Sequence, residues 1–399
     1  MATSPKRPPT RRRSTARAAA TRLCHLASAL AESGSRTEEQ FWELRLAEAI
    51  DKLLAEHNDD AFSAALDQLC DARSAAYDAL LRTIEDRIEC ASLLDAGDKQ
   101  IVLMAIPVLV WSRYDIPTPT IAPSTLAALR AHLCAHVLAS DAQVVFANLF
   151  FSPDQLPQHY VPTAAMAAAL GAHLLEGKQD MLIDPAILEP TERFLSDIRY
   201  AFAAVAVKRD APLFIWQEDE RMSREKAAAR WAEQGGACIA PLFPGCSMEF
   251  VLPETYYAAC ARADDLSRSH SLRAAATFLC MELDLPATGL RAVVAPFRDH
   301  EFELQEYRIS FAARGNDDNI LFGIVWPLLP HEGERADIAG EIEKVLRAAG
   351  VTDIVQIEHP LLPEYCDDCS APLFPTADGD LAHAEIPEPQ NEPPSRHLH

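Results

Sequence analysis

The sequence predicts an α+β protein, with an irregular N-terminal all-α module followed by an antiparallel α+β module of ferredoxin-like order. Three observations predict it. Residues 17–210 read as apolar runs near helical period, separated by polar and Pro-rich joints. After Asp210 the runs shorten and strand-like segments alternate with helices. The 399-residue length exceeds one ordinary core, and 49% apolar with 24% charged residues is ordinary globular composition.

In the first module, Thr37 and Gln40 have capping-box spacing ahead of an apolar-periodic run from Phe41 to His57. Further helical patterns cover 59–71, 73–94, 98–114, 123–140, 162–177 and 184–210. Asp59 and Ser124 suit N-caps, and Gly177 suits a C-cap. The Pro-punctuated stretch 115–123 reads as loop. No fixed period links the helices, so a helical repeat is not supported.

In the second module, PLFIWQE (212–218), ACIAPLF (237–243), MEFVL (248–252) and LRAVVAPF (290–297) read as strands. Helices are expected over 221–235, ended by Gly235-Gly236, and from Pro253-Glu254 to about 282. EYRISFA (306–312) alternates apolar and polar residues, GNDDN (315–319) turns, and ILFGIVWPL (320–328) returns as the partner strand. A helix over 336–350 stops at Gly350, and 353–359 is a last strand. The order is βαββαβ, then ββαβ. The expected division is a disordered basic arm (1–16), the helical module (17–210), the α+β module (211–360), a CxxC hairpin (361–385) and a disordered tail (386–399).

Net charge is −23, which argues against general nucleic-acid binding. Residues 1–31 nevertheless carry seven Lys or Arg and no acid, leaving the remainder at −30. That arm could contact RNA, DNA or an anionic membrane, or serve as a disordered, solubilising tail. No apolar signal-peptide core follows it, and the longest apolar run, 101–111, is shorter than the roughly 20 residues a bilayer needs. The ten cysteines are scattered, most within apolar helical patterns, which suits a reducing cytosol better than a disulfide scaffold.

The sharpest local signal is EYCDDCSAPLFP, residues 364–375. Glu364, Asp367 and Asp368 oppose thiolate formation, so redox work by Cys366 and Cys369 is disfavoured. The same carboxylates favour a dication, which itself deprotonates thiols. His383 lies within finger spacing of Cys369, but a second His is missing where Pro387, Glu388 and Pro389 stand. The segment thus resembles half of a zinc ribbon: knuckle, strand, turn, strand. Zinc on Cys366, Cys369 and His383 is the candidate, with His359, His397, His399 or a second copy to complete four ligands. The alternative is a metal-free hairpin with two idle thiols.

Other candidates are weaker. Cys238 and Cys246 flank PLFPG, and either could act as nucleophile with His270 or His300 as base, though core or loop thiols are commoner. Arg298-Asp299-His300-Glu301 lacks metalloprotease spacing and suits a solvated turn. His132 and His136 stand at i, i+4 with no third ligand in view. Trp111, Arg113, Tyr114, Tyr256, Tyr257 and Trp326 could line a small-molecule cleft or simply pack. Phosphate-loop, dinucleotide, nucleophile-elbow, kinase and EF-hand patterns are absent from the sequence.

Several phrases together resemble a known family: AESGSRTEEQFWE (31–43), PVLVWSRYDIP (107–117), PLFPGCSMEFVLPETYYAACARAD (241–264), EYRISFAAR (306–314) and YCDDCSAPLFP (365–375). They are similar to an uncharacterised bacterial, β-proteobacterial-type family catalogued as domain of unknown function 2863. The resemblance runs from about Ala31 to Glu385 and carries over no activity, cofactor or site residue. It implies a bacterial cytosolic protein. The expected function is a non-catalytic cytosolic binding or regulatory protein, for a protein partner, a small-molecule ligand or a second copy. The alternatives are an enzyme with a cleft between modules, using Cys246, His270 or Arg298-Asp299-His300, and a nucleic-acid-associated protein acting through the arm.

Overall fold

The computed structural model describes residues 10–70, 75–90, 97–178, 180–191, 195–300, 303–316, 319–329, 332 and 337–385, with side chains from Ala16 onward. The expected tail, 386–399, lies outside these residues, as does the arm up to residue 9. Residues 10–16, expected as arm, begin the first helix instead.

The N-terminal helices are α1 (Thr10–Ala31), α2 (Arg36–Ala55), α3 (Asp59–Cys70) and α4 (Ala75–Glu89). They close on one another through Leu23, Leu46, Ile50, Phe62, Leu80 and Ile84. The cap of α2 is Ser35, whose side chain accepts from the Glu38 N–H, so the start lies ahead of the expected Thr37. Asp59 begins α3 and accepts from the Val161 N–H at 2.9 Å, tying the bundle to the next layer.

Then come β1 (Lys99–Trp111), α5 (Pro123–His136), β2 (Gln143–Ala147), α6 (Tyr160–Leu175), β3 (Asp180–Met181) and β4 (Ser196–Lys208). After them are α7 (Ile215–Glu218), α8 (Arg224–Arg230), α9 (Gly236–Ile239), β5 (Ser247–Phe250), β6 (Glu254–Thr255) and α10 (Tyr256–Glu282). Strands run in the order β3-β2-β4-β1-β5, with β6 also on β1. The helical reading of 98–114 and 184–210 is therefore corrected: strands β1 and β4 occupy them, paired antiparallel from Lys99–Lys208 to Trp111–Ser196.

The physical reason is that this sheet is covered on both faces. Ile101, Leu103, Ala105 and Leu109 enter one core with α6 and the start of α10. Met104, Ile106, Val108 and Val110 enter the opposite core with α5, Trp231 and Ile239. A strand buried on both sides shows an unbroken apolar run and no alternation. Pro107 fits because the partners on the β5–β6 side of β1 skip Ile106 and Pro107.

The strand reading of 212–218 and 237–243 is also corrected. Phe214 stacks on Trp216 beside α7, and Ile239 and Phe243, four residues apart, bury against the sheet from α9 and the turn after it. Their apolar character is packing, not strand alternation. Gly235-Gly236 does not end the preceding helix: a π-helical turn over Trp231–Gly235 leads directly into α9. A β-carbon at Gly235 would stand 2.5 Å from the Trp231 ring, which requires glycine there.

The remaining elements are β7 (Leu290–Arg298), β8 (Leu304–Ala313), β9 (Phe322–Pro327), α11 (Ile338–Ala348), β10 (Asp353–Gln356), β11 (Phe374–Pro375) and β12 (Leu381–Ala382). A second sheet has the order β10-β7-β8-β9, with β8–β9 the expected hairpin and β10 parallel to β7. The ferredoxin-like order is corrected: β5 pairs with β1 in the first sheet, whereas β7 pairs with β8 and β10 in the second. The fold is α+β, with N-terminal helices followed by mixed sheets.

Helix α10, 27 residues and roughly 40 Å long, joins the two layers. Its first half, through Tyr256, Ala259 and Ala263, packs on the first sheet. Its second half, through Leu272, Phe278 and Leu279, packs with α11 on the second. Between the halves, buried Arg268 donates two hydrogen bonds to Glu332, at 2.7 and 2.8 Å, and lies over the Trp326 ring. Among the described residues no helix is long and apolar enough to cross a membrane.

Candidate metal centre

The free face of the second sheet is covered by the chain's own C-terminal segment. Val293, Ala295 and Phe297 of β7 meet Ile357, Leu361 and Leu381 there. Two polar side chains of β8 hold the segment down. Arg308 is fully buried, and its Nη1 donates to the carbonyl oxygens of Glu364 and Leu373 at 2.9 and 2.6 Å. Its Nε donates to Glu306 at 2.7 Å, while its guanidinium lies over the Phe297 and Tyr365 rings. Ser310 Oγ donates to the Pro375 carbonyl oxygen at 2.5 Å.

Phe374 completes the seat. A β-carbon added at Gly323 of β9 would lie 2.3 Å from its ring, so only glycine lets the ring approach. Gly323→Ala is expected to cost about 1–3 kcal/mol by overpacking. Adding Phe374→Ala should recover part of that loss, read as coupling in a double-mutant cycle of urea unfolding. An unchanged unfolding midpoint in Gly323→Ala would contradict this packing.

Within the held segment, the Cys366 N–H donates to Ala371 O and the Ser370 N–H to Cys366 O, closing a tight turn with Ser370 at φ 59°. The Cys366 thiol is drawn below its ordinary value, first by the Asp368 N–H and then by the Cys369 N–H and thiol. These contacts favour a thiolate despite the neighbouring acids, which spacing alone did not reveal. Strand β11, a turn at Gly379 (φ 91°) and strand β12 follow, and bring His383 back to the thiols. Cys369 Sγ and His383 Nε2 are 3.2 Å apart, and the donor atoms of Cys366, Cys369 and His383 all lie within 4.8 Å of one another. Two thiols and an imidazole are a zinc-type donor set, and they lie close enough together to converge on one ion. Among the described residues they are the one group of three or more candidate ligands so close together. His359 lies beside the Gly379 turn, and His397 and His399 fall outside the described residues.

A family model for proteins of unknown function, DUF2863, matches residues 8–397, nearly the whole chain. The chain belongs to DUF2863. No curated protein and no solved structure matches it.

The other sequence candidates of this DUF2863 protein sit apart from the knuckle and make their own local contacts. Burial raises the Cys246 thiol, whose Sγ contacts the Pro244 carbonyl oxygen, the wrong direction for a nucleophile. Cys238 contacts the Gln234 carbonyl oxygen one helical turn back. Asp299 accepts from the Glu303 N–H and the Gln305 amide, so Arg298-Asp299-His300 is the β7–β8 turn; Glu301 lies outside the described residues. His132 and His136 stack with ring centres 5.8 Å apart, and His136 Nε2 meets Gln234. Trp326 is buried under Arg268, and Tyr114 is exposed. Tyr256 and Tyr257 border a small hollow beside Tyr160. Trp111 and His270 line a different cavity, together with Glu249 and Arg273, which sequence reasoning missed. No local motif marks that pair, because it arises only when β5 packs beside α10.

Proposed function

We propose that Cys366, Cys369 and His383 of this DUF2863 protein hold one zinc ion, and that the protein is a non-catalytic cytosolic binding or regulatory protein. The observation that carries the reading is the convergence of three zinc-type donors on a hairpin seated on a sheet face. Zinc would fasten the end of a hairpin whose stems are already held by Arg308, Ser310 and Phe374. The metal's role there is to fix shape: Cys246 and Asp299, named from sequence among the catalytic candidates, are held in local contacts away from the knuckle. His359 is the candidate for the fourth ligand among the described residues.

Elemental analysis of the purified full-length protein tests this. The expected result is one zinc per chain, falling to a small fraction in Cys366→Ser and Cys369→Ser and falling partly in His383→Ala. Chelation should raise protease cleavage within 361–385 while the rest of the chain resists. Substoichiometric zinc in the unmutated protein, after expression in zinc-supplemented medium, would end the metal reading.

A further inference from the structure

Beside β5, along the second half of α10, lies a cavity of about 350 Å³. That size falls within the range of small-molecule sites. Trp111, Met248 and Phe278 form apolar wall, and Glu249, His270 and Arg273 supply polar groups. His270 is 5% exposed, its Nδ1 lies 3.5 Å from a Glu249 carboxylate oxygen, and its buried Nε2 has no hydrogen-bond partner. Arg273 Nη2 donates to the same carboxylate at 2.5 Å. The Glu249 carboxyl is held below its ordinary range, first by the hydrogen bond from His270.

These contacts fix the imidazole. With Nδ1 turned to the Glu249 carboxylate, a proton placed on Nδ1 leaves Nε2 as the open acceptor of the ring. A buried ring nitrogen without a partner is costly and calls for a donor. Arg273 is partly exposed and directs one of its five N–H groups at Glu249, which leaves donors for a second oxygen ligand.

We propose that this cavity binds a small carboxylic acid with a flat apolar body. One carboxyl oxygen accepts from Arg273. Binding of the anion takes up one proton from solvent, which lies between the other carboxylate oxygen and His270 Nε2, and the body lies against Trp111 and Phe278. The inference rests on the reading of the protein as a binder and names the ligand class, and it is independent of zinc at the knuckle.

The test uses full-length protein and two probes of one shape, phenylacetate and its neutral amide. The indole N–H signals of the five tryptophans are followed by NMR, with Trp111 assigned through Trp111→Phe. Phenylacetate is expected to shift the Trp111 signal with millimolar affinity, as befits about ten heavy atoms, and the amide to bind about tenfold more weakly. Arg273→Gln should weaken phenylacetate about tenfold. Thr277→Tyr, which places a ring at an exposed position on the cavity wall, should abolish the shift. No Trp111 shift at ~10 mM phenylacetate, or equal binding by the amide or by Thr277→Tyr, would overturn the site. Chemical conversion of the bound probe would support the site and overturn the non-catalytic reading, and zinc content tests the knuckle separately.

Discussion

Arg308→Ala is expected to lower the unfolding free energy by about 3–5 kcal/mol and to release the C-terminal hairpin. The buried guanidinium joins five groups at once: Glu306, two carbonyl oxygens on either side of the Cys366–Cys369 turn, and the Phe297 and Tyr365 rings around it. Truncation leaves Glu306 without its cation, strips the Glu364 and Leu373 carbonyls of a donor, and opens a void beneath the hairpin. Lysine should rescue poorly, since one ammonium cannot reproduce the planar fork or its stacking. Urea unfolding gives the stability change. Limited proteolysis shows whether 361–385 becomes cleavable before the rest. A midpoint within error of the unmutated protein, with the hairpin still protected, would show that Arg308 does not hold it.

The second large effect is a pH dependence centred on Glu89. This residue ends α4, is 8% exposed, and accepts from the Tyr257 N–H at 2.6 Å at the start of α10. Burial pushes its carboxyl from 4.5 up to about 7, and Glu85 and Asp86 push the same way. The Tyr257 N–H and Thr255 favour the charged form but do not offset desolvation. Because the folded value is raised, its contribution to stability is complete below 4.5 and is lost as pH rises through about 7. Glu89→Gln keeps an acceptor for Tyr257 and removes the ionisation. The stability difference between Glu89→Gln and the unmutated protein should therefore move by roughly 3 kcal/mol in favour of the variant between pH 4 and pH 8. Urea midpoints of both proteins at the two pH values measure it. A difference that stays constant with pH would contradict the buried-carboxyl account.

How much the sequence disclosed varied with how local the information was. The knuckle was legible because Cys366, Cys369, the Gly379 turn and His383 lie within one short hairpin. Its anchor was not, because Arg308 reads in sequence as the polar partner of an alternating strand facing solvent. In the fold that face is covered by residues from beyond Ile357. The β8–β9 pair was visible from alternation, since its two faces meet different surroundings. β1 was misread because both of its faces are apolar, and β4 because Ala201–Ala206 is as apt for a helix as for a strand between close-packed layers. Alanine there lets helices approach, which is a demand of packing rather than of backbone preference. The Glu249–His270 pair was invisible for a related reason: a contact between an edge strand and a bridging helix leaves no spacing to count.

The pairing of β1 with β4 also sets a schedule for biosynthesis. About 85 residues separate Trp111 from Ser196, so a ribosome adding roughly 5–20 residues per second exposes β1 for several seconds before its long partner exists. During that interval an eleven-residue segment, IVLMAIPVLVW, has two greasy sides and open amides. Pro107 at its centre interrupts the run of donors that a neighbouring nascent chain would need for self-assembly, and so acts as a gatekeeper during the wait.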